Sequence, residues 1–192
     1  MPAPKPQTKG EKRRAEVLKV ARTHLIEKGY DAFSMREVAA DLGTKIGHIQ
    51  YYFPSRTDLF EALVREEFET NLESVENIKR VEKHPEIALE QVAETLLKEW
   101  TTDGAQIYAL MSFLAMHDST FESLKLKVYE QFHEIIEELI CDVRGCEASP
   151  DTLTSARLIT SVMDGAVLQQ NPDKRLQNAI IANVLNIAVR GN

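Results

Sequence analysis

The sequence contains few of the residues on which several classes of protein depend. Its 192 residues include two cysteines, one tryptophan, eight glycines and seven prolines. No apolar run approaches the ~18 residues of a membrane-spanning helix, and no alternation of polar and apolar residues is long enough for a β-sheet. We therefore expect no membrane segment and no sheet. The hydrophobic residues, 43% of the chain, then have to form the core of an all-α protein.

The two cysteines, Cys141 and Cys146, lack CxxC spacing, and the five histidines are scattered. A zinc site is therefore not expected, and we expect no cofactor. Two reduced thiols are typical of a cytoplasmic protein, although a redox role for Cys146 stays open. Residues 1–10 contain no apolar segment, so they are not a secretory signal. We interpret residues 1–9 as a disordered basic arm.

Charge is distributed unevenly along the chain. The net charge of −7 by itself argues against binding to nucleic acid. Residues 1–56, however, carry 11 Lys and Arg against 6 Asp and Glu, which is +5, whereas the remaining residues carry 12 against 24, which is −12. A basic module joined to an acidic body is expected when only one end of a protein meets phosphates.

Apolar residues recur at helical spacing in nine segments, separated by short Gly, Pro and Asp-containing breaks. The predicted helices cover residues 10–28, 34–42, 45–52, 57–82, 86–102, 104–117, 121–144, 151–170 and 173–190.

The most informative segment begins at Ser34. Ser34 precedes an apolar helical stripe, and Glu37 follows three residues later, which is the pattern of a capping box. Gly43 stands where this helix must stop, and glycine adopts the left-handed conformation that ends many helices. We therefore predict a short helix that ends at a glycine turn.

A second short helix follows this turn. Thr44 is the predicted cap of a helix over residues 45–52, and Pro54 ends it because proline has no N–H group to donate. Two short helices joined by a glycine turn, with small or polar residues facing outward, form the layout of a helix-turn-helix. We therefore predict a protein that binds double-stranded DNA.

The motif from Ser34 to Arg56 resembles the TetR family of bacterial transcription regulators, and the run GHIQYYFPSRTDLF, residues 47–60, resembles its BetI-like branch in particular. The specific resemblance covers roughly a quarter of the chain. It implies a nine-helix architecture with a three-helix DNA-binding domain over residues 10–56 and a ligand-binding and dimerisation domain over residues 57–192. The implied function is that of a ligand-responsive homodimeric regulator, with repression as the favoured mode, on a pseudo-palindromic operator.

The residue types on the second helix suit contact with base edges. Gln50 suits adenine, His48 can donate to guanine, and Ile46 can touch a thymine methyl. Gly47 allows close approach of the backbone, and Lys45 adds positive charge. The alternative is that these are solvated helix residues.

The resemblance adds further candidates. Ser34, Arg36 and Arg56 match positions that hold phosphates or reach a base in relatives, although Arg56 can also be a plain surface charge. Most members carry tyrosine where this chain has Gln50, so Tyr51 is the candidate for the missing hydroxyl contact. Tyr52 is divided between backbone contact and core. The full predicted DNA-binding set is Ser34, Arg36, Lys45, Ile46, Gly47, His48, Gln50, Tyr51, Tyr52 and Arg56.

The body contains large side chains that suit either a core or a ligand pocket. The resemblance places a pocket against the long helix that begins at Thr57, and its predicted lining residues are Trp100, Tyr108, Met111 and Phe132. The BetI-like resemblance raises choline as a ligand, but one tryptophan is few for an aromatic cage. An apolar or amphipathic small molecule is therefore favoured over a quaternary ammonium.

The last two helices are apolar on more than one face, which exceeds the needs of a single core. We therefore predict a two-fold dimer through residues 152–190, with Ile159 and Leu185 on the apolar face that contacts the partner. The alternative is that one chain buries both faces.

Two other functions were weighed. An enzyme that uses His117 or His133 would need a nucleophile or a metal partner, and the sequence supplies neither. A helical interaction protein that keeps the helix-turn-helix without sequence-specific DNA binding is the remaining alternative, and the basic N-terminal module argues against it.

Overall fold

The computed structural model describes residues 8–100, 104–169 and 173–190. Within these ranges it contains nine α-helices and no strand, as predicted. In chain order the helices are α1 (Lys9–Ala32), α2 (Met35–Asp41), α3 (Ile46–Tyr52), α4 (Arg56–Val81), α5 (Pro85–Trp100), α6 (Gly104–Ala115), α7 (Ser119–Arg144), α8 (Pro150–Gln169) and α9 (Lys174–Arg190).

Most helix ends fall within two residues of the predicted ones. α7 begins at Ser119 rather than at residue 121, because the Asp118 carboxylate accepts a hydrogen bond from the Thr120 amide at 2.8 Å and so caps an earlier turn. The ends predicted at residues 102 and 170 lie outside the described residues. So does the predicted basic arm, except for Thr8 and Lys9, which form the cap and first residue of α1.

The chain divides into two compact units, one ending at Glu66 and the other beginning at Glu67. α4 supplies residues to both units. In the first unit, α1 is interrupted at Gly29, whose φ of 75° is left-handed, and continues to Ala32. Its buried core contains apolar residues of all four helices: Val17, Leu18, Ala21, Leu25, Phe33, Val38, Ile49, Phe53, Leu59, Phe60 and Leu63.

The structure confirms two of the local predictions for α2, the cap at Ser34 and the stop at Gly43. The Ser34 hydroxyl oxygen accepts a hydrogen bond from the Glu37 amide at 3.2 Å and caps α2. Gly43 has a φ of 59°. The amides of Gly43 and Thr44 each donate to carbonyls of the last turn of α2 at 2.9 Å, which satisfies acceptors that the helix end leaves open.

The predicted cap of α3 is wrong. α3 begins at Ile46, and its capping position is Lys45, which makes no side-chain hydrogen bond to the helix end. The hydroxyl of Thr44 lies instead 2.8 Å from Nδ1 of His48. The hydroxyl therefore fixes a side chain of α3 rather than its first amides. Phe53, just before Pro54, ends the helix as expected.

In the second unit α7 packs against α5, α6, α8 and α9. Its inward face is apolar and includes Leu124, Val128, Phe132, Ile136 and Ile140. Cys141 and Cys146, at the end of α7, are free thiols. No helix in the described part of the chain is both long and apolar enough to cross a lipid bilayer.

Candidate nucleic-acid interface and ligand cavity

One face of α3 is buried and the opposite face is open. Ile49 is fully buried, and the helical repeat of about 100° per residue places Gly47 and Tyr51 on nearly the opposite side. Tyr51 is 81% exposed, and nothing lies within 4 Å of where a side chain on Gly47 would begin. The exposed face of α3 therefore combines an open backbone with a projecting phenol.

His48 and Gln50 flank this line on its two sides, and both are exposed. The contact between His48 Nδ1 and the Thr44 hydroxyl fixes the orientation of the imidazole. When the hydroxyl donates to Nδ1, the proton of a neutral imidazole lies on Nε2, which then can donate to an acceptor outside the protein. Gln50 keeps both its amide donor and its carbonyl acceptor toward solvent.

The remaining predicted residues of α3 are placed around this face. Lys45 is exposed, whereas Ile46 and Tyr52 are half-buried. The ring of Tyr52 packs edge-on against Tyr51, with ring centres 5.0 Å apart. Tyr52 therefore supports the exposed phenol beside it.

Two of the phosphate candidates lie at the start of α2. Arg36 is exposed, and Ser34 is half-buried. The Ser34 oxygen accepts the capping hydrogen bond from Glu37, so its own O–H group remains available to donate to an oxygen outside the protein.

The side chain of Arg56, a predicted phosphate contact, lies against Tyr30 within the first unit. Its guanidinium lies 3.9 Å from the centre of the Tyr30 ring, and Nη2 donates to the Tyr30 carbonyl. Nε is buried and has no hydrogen-bond partner among the described residues. Arg56 thus joins the first turn of α4 to the chain just after the break at Gly29, and a phosphate would have to draw it out of these contacts.

A cavity of about 30 Å³ lies in the second unit between α6, α7 and α8. Its lining residues are Ala105, Tyr108, Ala109, Ser112, Tyr129, Phe132, Thr160, Asp164 and Leu168. Two of the predicted ligand residues, Tyr108 and Phe132, are therefore part of its wall. Met111 is fully buried and is not among the lining residues. The side chain of Trp100 lies outside the described residues.

The wall of this cavity carries a carboxylic acid that the sequence prediction missed. The Tyr129 hydroxyl donates a 2.6 Å hydrogen bond to Oδ2 of Asp164, which joins α7 to α8. Burial raises the pKa of Asp164 to about 6, although the hydrogen bond from Tyr129 and the positive charge of Lys125 oppose the shift. Burial also raises the pKa of Tyr129, and the neighbouring charge of Asp164 adds to that shift. A signal was present in the sequence: Asp164 is the only charged residue between Arg157 and Asp173.

The part of α4 in the second unit contacts two residues of the cavity wall. The amide of Asn71, which is 1% exposed, donates to the Tyr108 hydroxyl at 3.3 Å. The ring of Phe68 packs edge-on against Phe132, with ring centres 5.0 Å apart. Tyr108 and Phe132 therefore contact α4 directly.

Neither His117 nor His133, the two histidines considered for an enzyme, is among the residues that line this cavity. His117 is exposed and packs against Phe113. His133 is half-buried and bonds the Thr160 hydroxyl at 3.0 Å, and burial lowers its pKa.

The apolar faces of α8 and α9 are divided between the inside and the surface of the chain. Ile159 is fully buried, so its predicted position on the partner's face is wrong. Its neighbour Leu158, about 100° further around the helix, is 42% exposed. On α9 Leu176 is also 42% exposed and Leu185 is half-buried. The surface of these two helices therefore contains apolar side chains that the single chain leaves uncovered.

Known proteins share the first unit and the overall fold. Residues 17–63, from the middle of α1 into α4, match the family model described as "Bacterial regulatory proteins, tetR family". No curated protein matches the chain in sequence.

Three solved structures illustrate the similarity of fold. A TetR transcription regulator from Haloarcula marismortui has a TM-score of 0.78 at 18% identity, with 92% of this chain and 96% of that chain covered. A putative transcriptional regulator from Saccharomonospora viridis, solved in complex with choline, has a TM-score of 0.76 at 18% identity, with 93% and 96% covered. A transcriptional regulator from Rhodococcus sp. Rha1 has a TM-score of 0.73 at 20% identity, with 92% and 93% covered.

Proposed function

We propose that this chain is a TetR-family transcription regulator that binds operator DNA as a homodimer and releases it when a small molecule occupies the α6–α8 cavity. The observation that carries the proposal is the exposed polar face of α3 within the segment that matches the family.

The contacts with DNA follow from that face. We assign base contacts to His48 and Gln50, close backbone approach to Gly47, and a phosphate contact to the exposed hydroxyl of Tyr51. The remaining predicted contacts are Ser34, Arg36, Lys45, Ile46 and Tyr52. We assign Arg56 instead the role of positioning the first turn of α4, since its guanidinium already contacts the ring and the carbonyl of Tyr30.

A two-fold dimer is supported by the uncovered apolar side chains on α8 and α9. Leu158 and Leu176 are each 42% exposed. A dimer that places two copies of α3 on successive turns of the major groove binds far more tightly than either copy alone, because the second contact becomes intramolecular. The proposed regulator therefore acts on a pseudo-palindromic site, and repression is the favoured outcome.

The proposed effector acts through α4. α4 contacts the cavity wall through Asn71 and Phe68, and its first turn, at Arg56, belongs to the first unit. A ligand that enlarges the cavity would move Tyr108 and thereby α4. To weaken DNA binding a hundredfold, the ligand has to prefer the non-binding state by ~2.7 kcal/mol. The choline complex of the Saccharomonospora viridis protein supports a small organic ligand in this fold.

The test is a fluorescence anisotropy titration of the protein against a duplex from its own upstream region and against a shuffled duplex of equal length. The expected result is tighter binding to the first duplex, which Gln50→Ala reduces. Lys127→Ala, which removes an exposed positive charge from α7, is the control and should bind as the wild type does. Equal affinity for both duplexes would instead support the interaction protein without sequence-specific DNA binding.

A further inference from the structure

We propose that the α6–α8 cavity binds a protonated primary or secondary amine, whose N–H groups donate to the carboxylate of Asp164. This proposal rests on the proposed function only in naming the amine as the effector, because the described residues that line the cavity all belong to the second unit.

The first argument is the lack of a counter-charge. Within the described ranges no lysine, arginine or histidine forms an ion pair with Asp164, and the hydrogen bond that it accepts comes from the neutral Tyr129 hydroxyl. Lys125 is the nearby cation, and its nitrogen lies over the Tyr129 ring, 5.9 Å from the ring centre. A carboxylate has about four acceptor sites. A half-buried carboxylate with one phenol donor therefore favours a ligand that brings positive charge and further donors.

The second argument concerns the type of cation. The cavity wall adds the hydroxyls of Tyr108, Ser112 and Thr160 to the carboxylate. The Tyr108 and Thr160 hydroxyls already contact Asn71 and His133, but a hydroxyl oxygen has two acceptor sites. A primary or secondary ammonium has N–H groups to donate to such oxygens. A quaternary ammonium has none and depends on surrounding aromatic faces. Among the described residues the wall has three aromatic rings, those of Tyr108, Tyr129 and Phe132, and the Tyr129 face already meets Lys125.

The third argument concerns the carbon part of the ligand and the effect of its binding. Ala105, Ala109, Phe132 and Leu168 supply apolar wall beside the polar groups, which suits a short alkyl chain. The volume of about 30 Å³ admits only water-sized groups. An alkyl chain must therefore push the walls apart, and Tyr108 carries that movement to Asn71 of α4.

The experiment is isothermal titration calorimetry of the full chain without DNA, at pH 8, where the carboxylate is ionised. The probes are butylammonium, butanol as its neutral analogue, and choline as a quaternary ammonium. Butylammonium should bind at least about tenfold more tightly than either, since a hydrogen bond between charged groups is stronger than one between neutral groups. Asp164→Asn should lower the butylammonium affinity by about tenfold or more.

Two further variants separate recognition from general effects. Glu130→Gln removes one negative charge from an exposed position next to Tyr129 and should leave the affinity within about twofold, because exposed charges are screened. Tyr129→Phe keeps the ring and the carboxylate and frees an acceptor site on Asp164. Butylammonium should therefore still bind this variant, and adding Asp164→Asn to it should still lower the affinity. Circular dichroism confirms that each variant is folded.

Several results would overturn the proposal. Equal affinities for butanol and butylammonium would exclude recognition of charge, and choline binding as tight as butylammonium would exclude recognition through N–H groups. No binding of butylammonium, or an unchanged affinity in folded Asp164→Asn, would exclude the site. Failure of the proposed function would give a different result. A chain that binds the amine but no operator would support the amine site and contradict the proposed role as a DNA-binding regulator.

Discussion

The guanidinium of Arg56 lies 3.9 Å from the centre of the Tyr30 ring and donates a hydrogen bond to the carbonyl of the same residue. A planar cation over an aromatic face, with its edge on a backbone acceptor, is an arrangement that lysine does not reproduce. The contact joins the first turn of α4 to the chain that follows Gly29. We therefore expect this contact to contribute to the stability of the first unit rather than to bind DNA directly.

We expect Arg56→Lys to lower the stability of the protein by about 1–3 kcal/mol, because the ring contact and the bond to Tyr30 are lost while the charge is kept. Chemical denaturation measures the change. Arg36→Lys, at an exposed arginine of the same unit, should leave stability unchanged. Unchanged stability in Arg56→Lys together with unchanged DNA affinity would return Arg56 to the role of a phosphate contact through charge alone.

Binding to DNA should depend strongly on salt. If a dimer neutralises about 6–8 phosphates, the logarithm of the binding constant should fall with the logarithm of salt concentration at a slope of about −5 to −7. Anisotropy titrations at several salt concentrations give this slope. A slope near zero on the upstream duplex would contradict phosphate contacts by basic residues such as Arg36 and Lys45, since only a positive charge neutralises a phosphate.

Gln50→Ala should cost ~1–3 kcal/mol, mostly at one base pair of each half-site, because a bidentate amide reads a single adenine. Binding to a panel of single-base operator variants measures the effect. Tyr51→Phe is the matched comparison, since loss of a phosphate contact weakens binding to all sequences about equally. An equal loss on operator and random DNA for Gln50→Ala would remove Gln50 from the base-reading residues.

Leu158→Glu with Leu176→Glu should give folded monomers that lose most of their operator affinity, because each glutamate brings a charge into the proposed interface between α8 and α9 of two chains. Light scattering measures the mass. Ile87→Glu on α5, whose parent side chain has the same 42% exposure, is the control and should leave the dimer intact. An unchanged dimer in the double variant would place the interface on another surface.

Asp164→Asn should stabilise the free protein at pH 8. The folded-state pKa of Asp164 is raised from 3.8 to about 6, so the ionised carboxylate destabilises the fold at high pH and this penalty disappears as the pH falls below about 4. The shift corresponds to an upper limit of about 3 kcal/mol. Urea unfolding at pH 8 and at pH 5 should show a larger gain at pH 8. A gain that is independent of pH would mean that Asp164 does not carry the shift.

The sequence by itself determined where most of the helices begin and end and where the chain turns. Gly43 ends α2 and Pro54 follows α3 because the backbone freedom of glycine and the missing N–H group of proline act locally, whatever the rest of the chain does. The basic first 56 residues are equally a property of the sequence. The same local reasoning failed at Thr44, where a side chain on the next turn of α3 competed for the hydroxyl.

Tertiary structure decided which side chains meet and which stay open. Arg56 finds its partner 26 residues earlier in the chain, and Tyr129 meets Asp164 35 residues later. Ile159 is buried while Leu158 is exposed, although both are apolar neighbours on one helix. The periodicity of α8 predicts a helix with two apolar faces. Only packing against its neighbours, chiefly α7 and α9, selects the face that turns inward, since those neighbours set the rotation of the helix about its axis.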